Sequence, residues 1–223
     1  MLGELLRNLT SVPSISDAYK DIMQMQISRE EIKDIELKIT SKTVLFFDMD
    51  GTLIDTDFAN FLSYNKAILN ITKSNPKLTY NPGKRFTRSV LKHAVPNLTE
   101  NQFELIIKEK EKYYTDFLHE TKLNMAMIDL LLKYSKTNKT VLVTNCRKDR
   151  AVITLDHYGL LNHFSSIICR ASEATEQIVN KYQNAISTLA IPSSLVIAFE
   201  NEEIEIQDAK KAGIPKIIKI QIT

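Results

Sequence analysis

Five short stretches of the chain, 44–47, 141–143, 166–169, 195–199 and 217–220, are almost wholly apolar and rich in Val, Ile and Phe. A strand with one face in water alternates apolar with polar residues, whereas a strand covered on both faces does not. Runs of this kind therefore predict a parallel sheet held between two layers of helix. The last four runs alternate with segments of helical periodicity. One of these, 147–158, stops at Gly159, and another, 204–212, stops at Gly213 with Pro215 just beyond. Glycine takes the left-handed position that ends a helix, and proline bars its continuation.

Between the first two runs the pattern changes. Residues 57–136 contain no strand-like run and are too long for a simple crossover. Phe58, Phe61, Leu62, Ile68 and Leu69 make one helical stripe. Thr99 with Gln102 forms a capping box, and Phe103, Ile106, Ile107, Tyr114, Phe117 and Leu118 continue the stripe behind it. The stretch 124–134 returns the chain to the sheet as a helix. The first 42 residues form a separate amphipathic segment, with a second capping box at Ser28 and Glu31. The chain thus divides into an N-terminal helical extension (1–42), a Rossmann-like parallel α/β core (43–56 and 137–223) and an inserted all-helical cap (57–136).

Composition narrows the partners. A net charge of +2 gives no reason to expect nucleic acid or an anionic membrane. No run approaches the ~18 apolar residues of a membrane span. The N-terminus, MLGELLRNLTS, carries Glu4 and Arg7 within its apolar stretch and is not a signal peptide. Cys146 and Cys169 do not form a CxxC pair, which points to a reducing, cytoplasmic setting.

The chemistry concentrates in VLFFDMDGTLIDTD, where a buried strand runs into Asp48, Met49, Asp50, Gly51 and Thr52. Both carboxylates then stand at the C-terminal edge of the sheet, where open α/β folds bind ligands. Gly51 permits the sharp turn that follows. Two buried carboxylates without partners are costly, and a bound cation removes the objection.

DMDGT resembles the DxDGT signature of the haloacid dehalogenase superfamily, and DMDGTLID its subclass of beta-phosphoglucomutases and small sugar-phosphate phosphatases. Three further motifs of that superfamily have counterparts here, in order: Thr144 and Asn145 in VLVTN, Lys181 in IVNKYQNAI, and the acidic loop AFENEEIEIQDAKKAG. The resemblance spans residues 43–223. It departs from the pattern in the acidic loop. There Asn201 stands where relatives carry a metal-binding Asp, Glu202 stands for Ser, and Glu205 replaces a second Asp.

What the resemblance implies is a Mg²⁺-dependent phosphatase acting on a small phosphorylated metabolite. Asp48 would be the nucleophile and form an aspartyl-phosphate, and Asp50 the general acid and base. Thr144 and Lys181 would stabilise the phosphoryl oxygens, together with Asn145 and the backbone around Gly51 and Thr52, and Arg147, directly after the Thr-Asn motif, would sit near the substrate. Mg²⁺ would be held by Asp48, the Asp50 carbonyl, Asn201 and Glu200. A phosphomutase shares every one of these motifs. A regulatory protein on a weakened scaffold is the other reading, resting on Asn201 and the added N-terminal segment. That segment packs on the core, forms a homo-oligomer or docks to a partner. Lys84, Arg85, Arg88 and Lys92 read as a solvated basic face, and His93, Cys146, Tyr113 and Tyr114 as structural.

Overall fold

The computed structural model describes residues 29–74, 77–170 and 179–221. The helices expected before residue 28, with the Ser28 cap, lie outside these residues. Helix α1 (Arg29–Glu36) is followed by strand β1 (Val44–Phe47), whose four residues are all buried. Four more strands join it: β4 (Lys139–Val143), β5 (Ser166–Ile168), β6 (Val196–Glu200) and β7 (Lys216–Lys219). They form a parallel sheet in the order β5-β4-β1-β6-β7. The chain leaves β1 first to one side and then to the other, so the end of β1 is the point where the winding reverses. A crevice opens at such a point because the loops on either side diverge.

Successive residues of each strand serve opposite layers. Leu45, Phe47, Leu142, Ile197 and Phe199 pack against α5 (Met125–Tyr134) and α6 (Lys148–His157) through Met127, Ile128, Leu131, Ala151 and Leu155. Val44, Phe46, Val141, Val143, Val196 and Ala198 face α7 (Lys181–Leu189) and α8 (Glu203–Lys211) through Tyr182, Ala185 and Ala209. This two-sided burial, worth about 1.5–3 kcal/mol for each large side chain, is why the strand sequences show no alternation. Helix α1 joins the first layer. Ile35 is buried there, and Glu36 meets Lys133 of α5 at 2.6 Å.

The insertion has its own core. Helices α2 (Asp57–Thr72), α3 (Arg88–Ala94) and α4 (Glu100–Tyr113) enclose Phe61, Tyr64, Ile68, Phe86, Leu91, Phe103 and Ile106. Both halves of the Thr99–Gln102 capping box are formed. The stripe behind it does not continue as one helix. At Tyr114 the chain tightens into a 3₁₀ segment (Tyr114–Glu120) with non-helical dihedrals at Phe117.

A short ribbon marks the junction of core and insertion. Two two-residue strands, β2 (Ile54–Asp55) and β3 (Lys122–Leu123), pair antiparallel where the chain leaves and re-enters the core. Pairs this short carry no readable periodicity, and they hold the two connections side by side.

Candidate active site

Asp48 continues the line of β1, its N–H donating to the Phe199 carbonyl at 3.1 Å. The chain then turns over Met49, whose carbonyl accepts from the N–H groups of Thr52, Leu53 and Ile54. Met49 is fully buried, while the carboxylates of Asp48 and Asp50 reach into two different environments. Gly51 has φ +88°, and a Cβ built on it would lie 2.2 Å from Asn201 Nδ2. Only glycine lets the Asn201 side chain approach this turn.

Around Asp48 a single ammonium serves several carboxylates. Lys181 Nζ lies 2.7 Å from Asp48 Oδ1, 2.7 Å from Glu200 Oε2 and 3.8 Å from Glu205 Oε2. Lys181 occupies the first turn of α7, which Asn180 caps by accepting from the Gln183 N–H at 2.8 Å. It is buried rather than solvated.

Glu200, fully buried at the end of β6, is held on both oxygens. Tyr182 donates to Oε2 at 2.7 Å, and the Asn201 and Glu202 N–H groups donate to Oε1 at 2.9 and 3.0 Å. Burial, opposed by Lys181 and reinforced by the Glu200 charge, leaves the Asp48 carboxyl raised to about 7. Burial opposes the charge on Lys181, but Asp48 and Glu200 outweigh it and hold the ammonium above its usual range.

Asp50 sits in the opposite field. Thr56 Oγ1 donates to its Oδ1 at 2.5 Å, Arg150 Nη2 stands 3.3 Å from the same oxygen, and Arg85 Nη2 stands 3.2 Å from Oδ2. Burial would raise this carboxyl. Arg85 and Arg150 overcome that effect and hold it below the usual carboxylate range. The Arg150 guanidinium also lies 4.0 Å over the Tyr114 ring and donates to Asn60 Oδ1. Lys110 donates to that same Asn60 oxygen at 3.0 Å and meets Glu111 at 2.9 Å. Burial, reinforced by Arg150 and opposed by Glu111, brings Lys110 down to about 8.

Arg85 corrects the reading of a solvated basic face. It precedes α3 instead of lying on it, is largely buried, and couples the insertion to Asp50 and, at 4.0 Å, to Asp57. Arg150 and Lys110 are site residues that the sequence reading missed, although a signal was present. On α4, Lys110 extends the apolar stripe of Phe103, Ile106 and Ile107. On α6, Arg150 shares its face with Ala151, Thr154 and Leu155. A cation on a buried stripe needs a partner.

The remaining positions line the same cleft, of about 1440 Å³, between the sheet edge and the insertion. Thr144 is buried at the end of β4 with its hydroxyl accepting from the Cys146 N–H at 3.1 Å. Asn145 donates to Glu205 Oε1 at 2.7 Å. Arg147 stands at the mouth, 63% exposed, near Asp149 and not in the cluster. Burial, with the Asp50 charge adding to it, pushes the Cys146 thiol above its usual range, which suits a packing role.

Whether these residues suit a hard cation turns on Asn201. One end of its amide lies 3.1 Å from Glu200 Oε1, 3.1 Å from Thr52 Oγ1 and 3.3 Å from the Asp50 carbonyl oxygen. Among the described residues no group of three or more Asp, Glu, His or Cys side chains is arranged around an ion. The converging donors are instead a carbonyl, an amide and buried carboxylates. Such oxygen donors suit Mg²⁺, which is commonly held by one or two carboxylates and keeps several waters.

The sequence profile of the haloacid dehalogenase-like hydrolases matches residues 45–219. Among curated proteins none matches the chain. Several solved structures share its fold. A haloacid dehalogenase-like family hydrolase from Streptococcus pneumoniae superposes with TM-score 0.63 at 19% identity, over 80% of this chain and 84% of that one. CbbY from Rhodobacter sphaeroides, in complex with phosphate, gives 0.64 at 15% identity, over 79% and 85%. A subfamily IA hydrolase from Geobacter sulfurreducens gives 0.61 at 16% identity, over 80% and 87%. Sequence profile, sheet order and the placing of Asp48 at the end of the central strand agree: the chain belongs to the haloacid dehalogenase-like hydrolases.

Proposed function

We propose that the chain is a Mg²⁺-dependent phosphatase that hydrolyses a small phosphate monoester through an aspartyl-phosphate on Asp48. The observation that carries this reading is the setting of Asp48. It is a carboxylate at the end of the central strand, aimed into a cleft, with Lys181 at 2.7 Å and a hydroxyl strand end, Thr144, in the same cleft wall. Mg²⁺, held by Asp48, the Asp50 carbonyl and Asn201 beside Glu200, would neutralise charge between the incoming dianion and the carboxylate.

The chain's own residues do the rest. Asp48 attacks phosphorus, and Lys181 with Thr144 and Asn145 receives the phosphoryl oxygens. Asp50, ionised under its two arginines, takes the proton of the water that later attacks the phosphoenzyme. To serve as acid in the first half it needs a proton, which Arg85 and Arg150 both disfavour. Arg85 belongs to the insertion, so movement of that unit (57–136) as a cap over the core (43–56 and 137–223) would couple substrate entry to the state of Asp50. The same closure excludes bulk water. No helix among the described residues is long and apolar enough to cross a membrane, and we place the protein in the cytoplasm. The packing of Ile35 supports docking of residues 29–42 on the core.

The test is a screen of phosphorylated metabolites with Mg²⁺, run beside Asp48→Asn. Release of inorganic phosphate from at least one compound by the native chain alone is the expected result. A product that keeps its phosphate would contradict it in favour of a mutase.

A further inference from the structure

Arg150, Thr154 and Tyr158 follow one another at four-residue steps along α6 and its C-terminal cap, so they share one face. All three reach across to the insertion. The Tyr158 hydroxyl donates to the Thr121 carbonyl at 2.8 Å, and the Thr154 hydroxyl lies 3.3 Å from that of Tyr114. Arg150 makes the most contacts. Its guanidinium covers the Tyr114 ring at 4.0 Å, Nη1 donates to Asn60 Oδ1 at 3.4 Å, and Nη2 stands 3.3 Å from Asp50 Oδ1.

These contacts close a ring. Asn60 is buried at the start of α2, and its Nδ2 donates to the Phe86 carbonyl at 2.8 Å. Phe86 adjoins Arg85, whose Nη2 meets the other Asp50 oxygen, Oδ2, at 3.2 Å. One side of the Asp50 carboxylate is thus held directly by Arg150. The other is held by Arg85, which extends from a backbone that Arg150 anchors through Asn60.

Stability alone does not account for an arginine here. Its side chain is 7% exposed, and its Nε–H has no partner among the described residues. An unpaired buried donor is a net cost, and an apolar side chain would fill the face of α6 without it. An apolar chain cannot bond oxygens of the core and the insertion together. Lysine cannot replace the fork either, because its ammonium is a single point of charge.

We propose that Arg150 is a positioning residue that sets the direction of the Asp50 carboxylate and ties that direction to the seat of the insertion on the core. The proposal rests on the role given to Asp50 above. It adds the residue through which the α6 seam bears on the chemistry.

The test uses the full-length chain and Arg150→Lys, which keeps the charge and removes the fork. With p-nitrophenyl phosphate and Mg²⁺, this variant should lose on the order of tenfold in kcat with KM within about twofold of native, because a misdirected base acts only after the substrate has bound. Asn60→Ser, which opens the ring at its other member, should show the same split. Tyr158→Phe removes a seam bond that does not touch Asp50. It should lower the melting temperature and leave kcat within about twofold of native. A crystal structure of Arg150→Lys should show the Asp50 carboxylate rotated, with Lys181 still 2.7 Å from Asp48. Asp50 in its native orientation in that crystal would overturn the proposal, whatever the turnover. So would an equal loss of kcat in Tyr158→Phe, because the seam would then be a general support. A native chain that leaves p-nitrophenyl phosphate intact would count against the phosphatase reading instead, and the orientation of Asp50 in the crystal would still decide the positioning.

Discussion

Asp48 and Asp50 lie two residues apart and occupy opposite electrostatic worlds. At Asp48 one ammonium, Lys181, is shared with Glu200 and Glu205, and the carboxyl is raised. At Asp50 two guanidiniums, from Arg85 and Arg150, converge on one carboxyl and lower it. Paired carboxyls pushed apart in this way take different chemical roles. The first site is short of positive charge and suits a cation followed by nucleophilic attack. The second holds a surplus that keeps the Asp50 carboxylate ionised.

The comparison is broken most severely by removing the proposed nucleophile. Asp48→Asn should lower turnover by on the order of 10³-fold or more while the circular dichroism spectrum stays native, because the amide fills the same space and cannot attack. An equal loss in Asp50→Asn with Asp48→Asn still active would reverse the two roles.

Next in size is the loss of a buried cation. Arg150→Met strands the Asp50 charge against Thr56 alone on that side and should cost about 3–5 kcal/mol in denaturant unfolding. Arg85→Met, at a residue 28% exposed in its side chain, should cost clearly less. Equal costs would mean that the two arginines are not held as differently as their burial indicates.

The pH dependence sharpens the contrast further. In chelator, the folded chain keeps the Asp48 proton up to about 7, whereas the unfolded chain releases it near 3.8. Between those values the folded state binds more protons, so this group makes native stability fall as pH rises. Asp48→Asn does not titrate. The melting temperature of the variant minus that of the native chain should therefore widen between pH 4 and 7 and then level off. A gap that narrows over that window would show that Lys181 dominates and the carboxyl is ionised throughout.

The smallest effect on catalysis is expected at the N-terminus. Residues 43–223 contain Asp48, Thr144, Lys181 and Asn201, while residues 1–42 contribute Ile35 to the core and the Glu36–Lys133 pair. The truncated chain should lose stability and keep its rate per folded molecule. A stable truncation without activity would place the segment in the site.

These particulars show what a one-dimensional pattern can hold. The buried strands were legible because two-sided burial suppresses alternation, and DMDGT was legible because its residues are consecutive. Arg85 was misread because its partner, Asp50, is thirty-five positions away, and nothing local distinguishes a paired, largely buried arginine from a solvated one. Arg150 and Lys110 were readable only as charges on apolar stripes. The departure at Asn201 was visible as a substitution, but its place beside Glu200 and the Asp50 carbonyl needed the distances. The short pair β2–β3 left no periodic trace at all.

The central claim, that Asp48 is the atom-to-atom partner of the phosphoryl group, is tested most directly by a crystal structure grown with Mg²⁺ and beryllofluoride. The account predicts a beryllium–oxygen bond to the Asp48 carboxylate, with Lys181 and Thr144 contacting the fluorides. Beryllofluoride on Asp50, or elsewhere in the cleft with Asp48 Oδ1 still held only by Lys181, would contradict it.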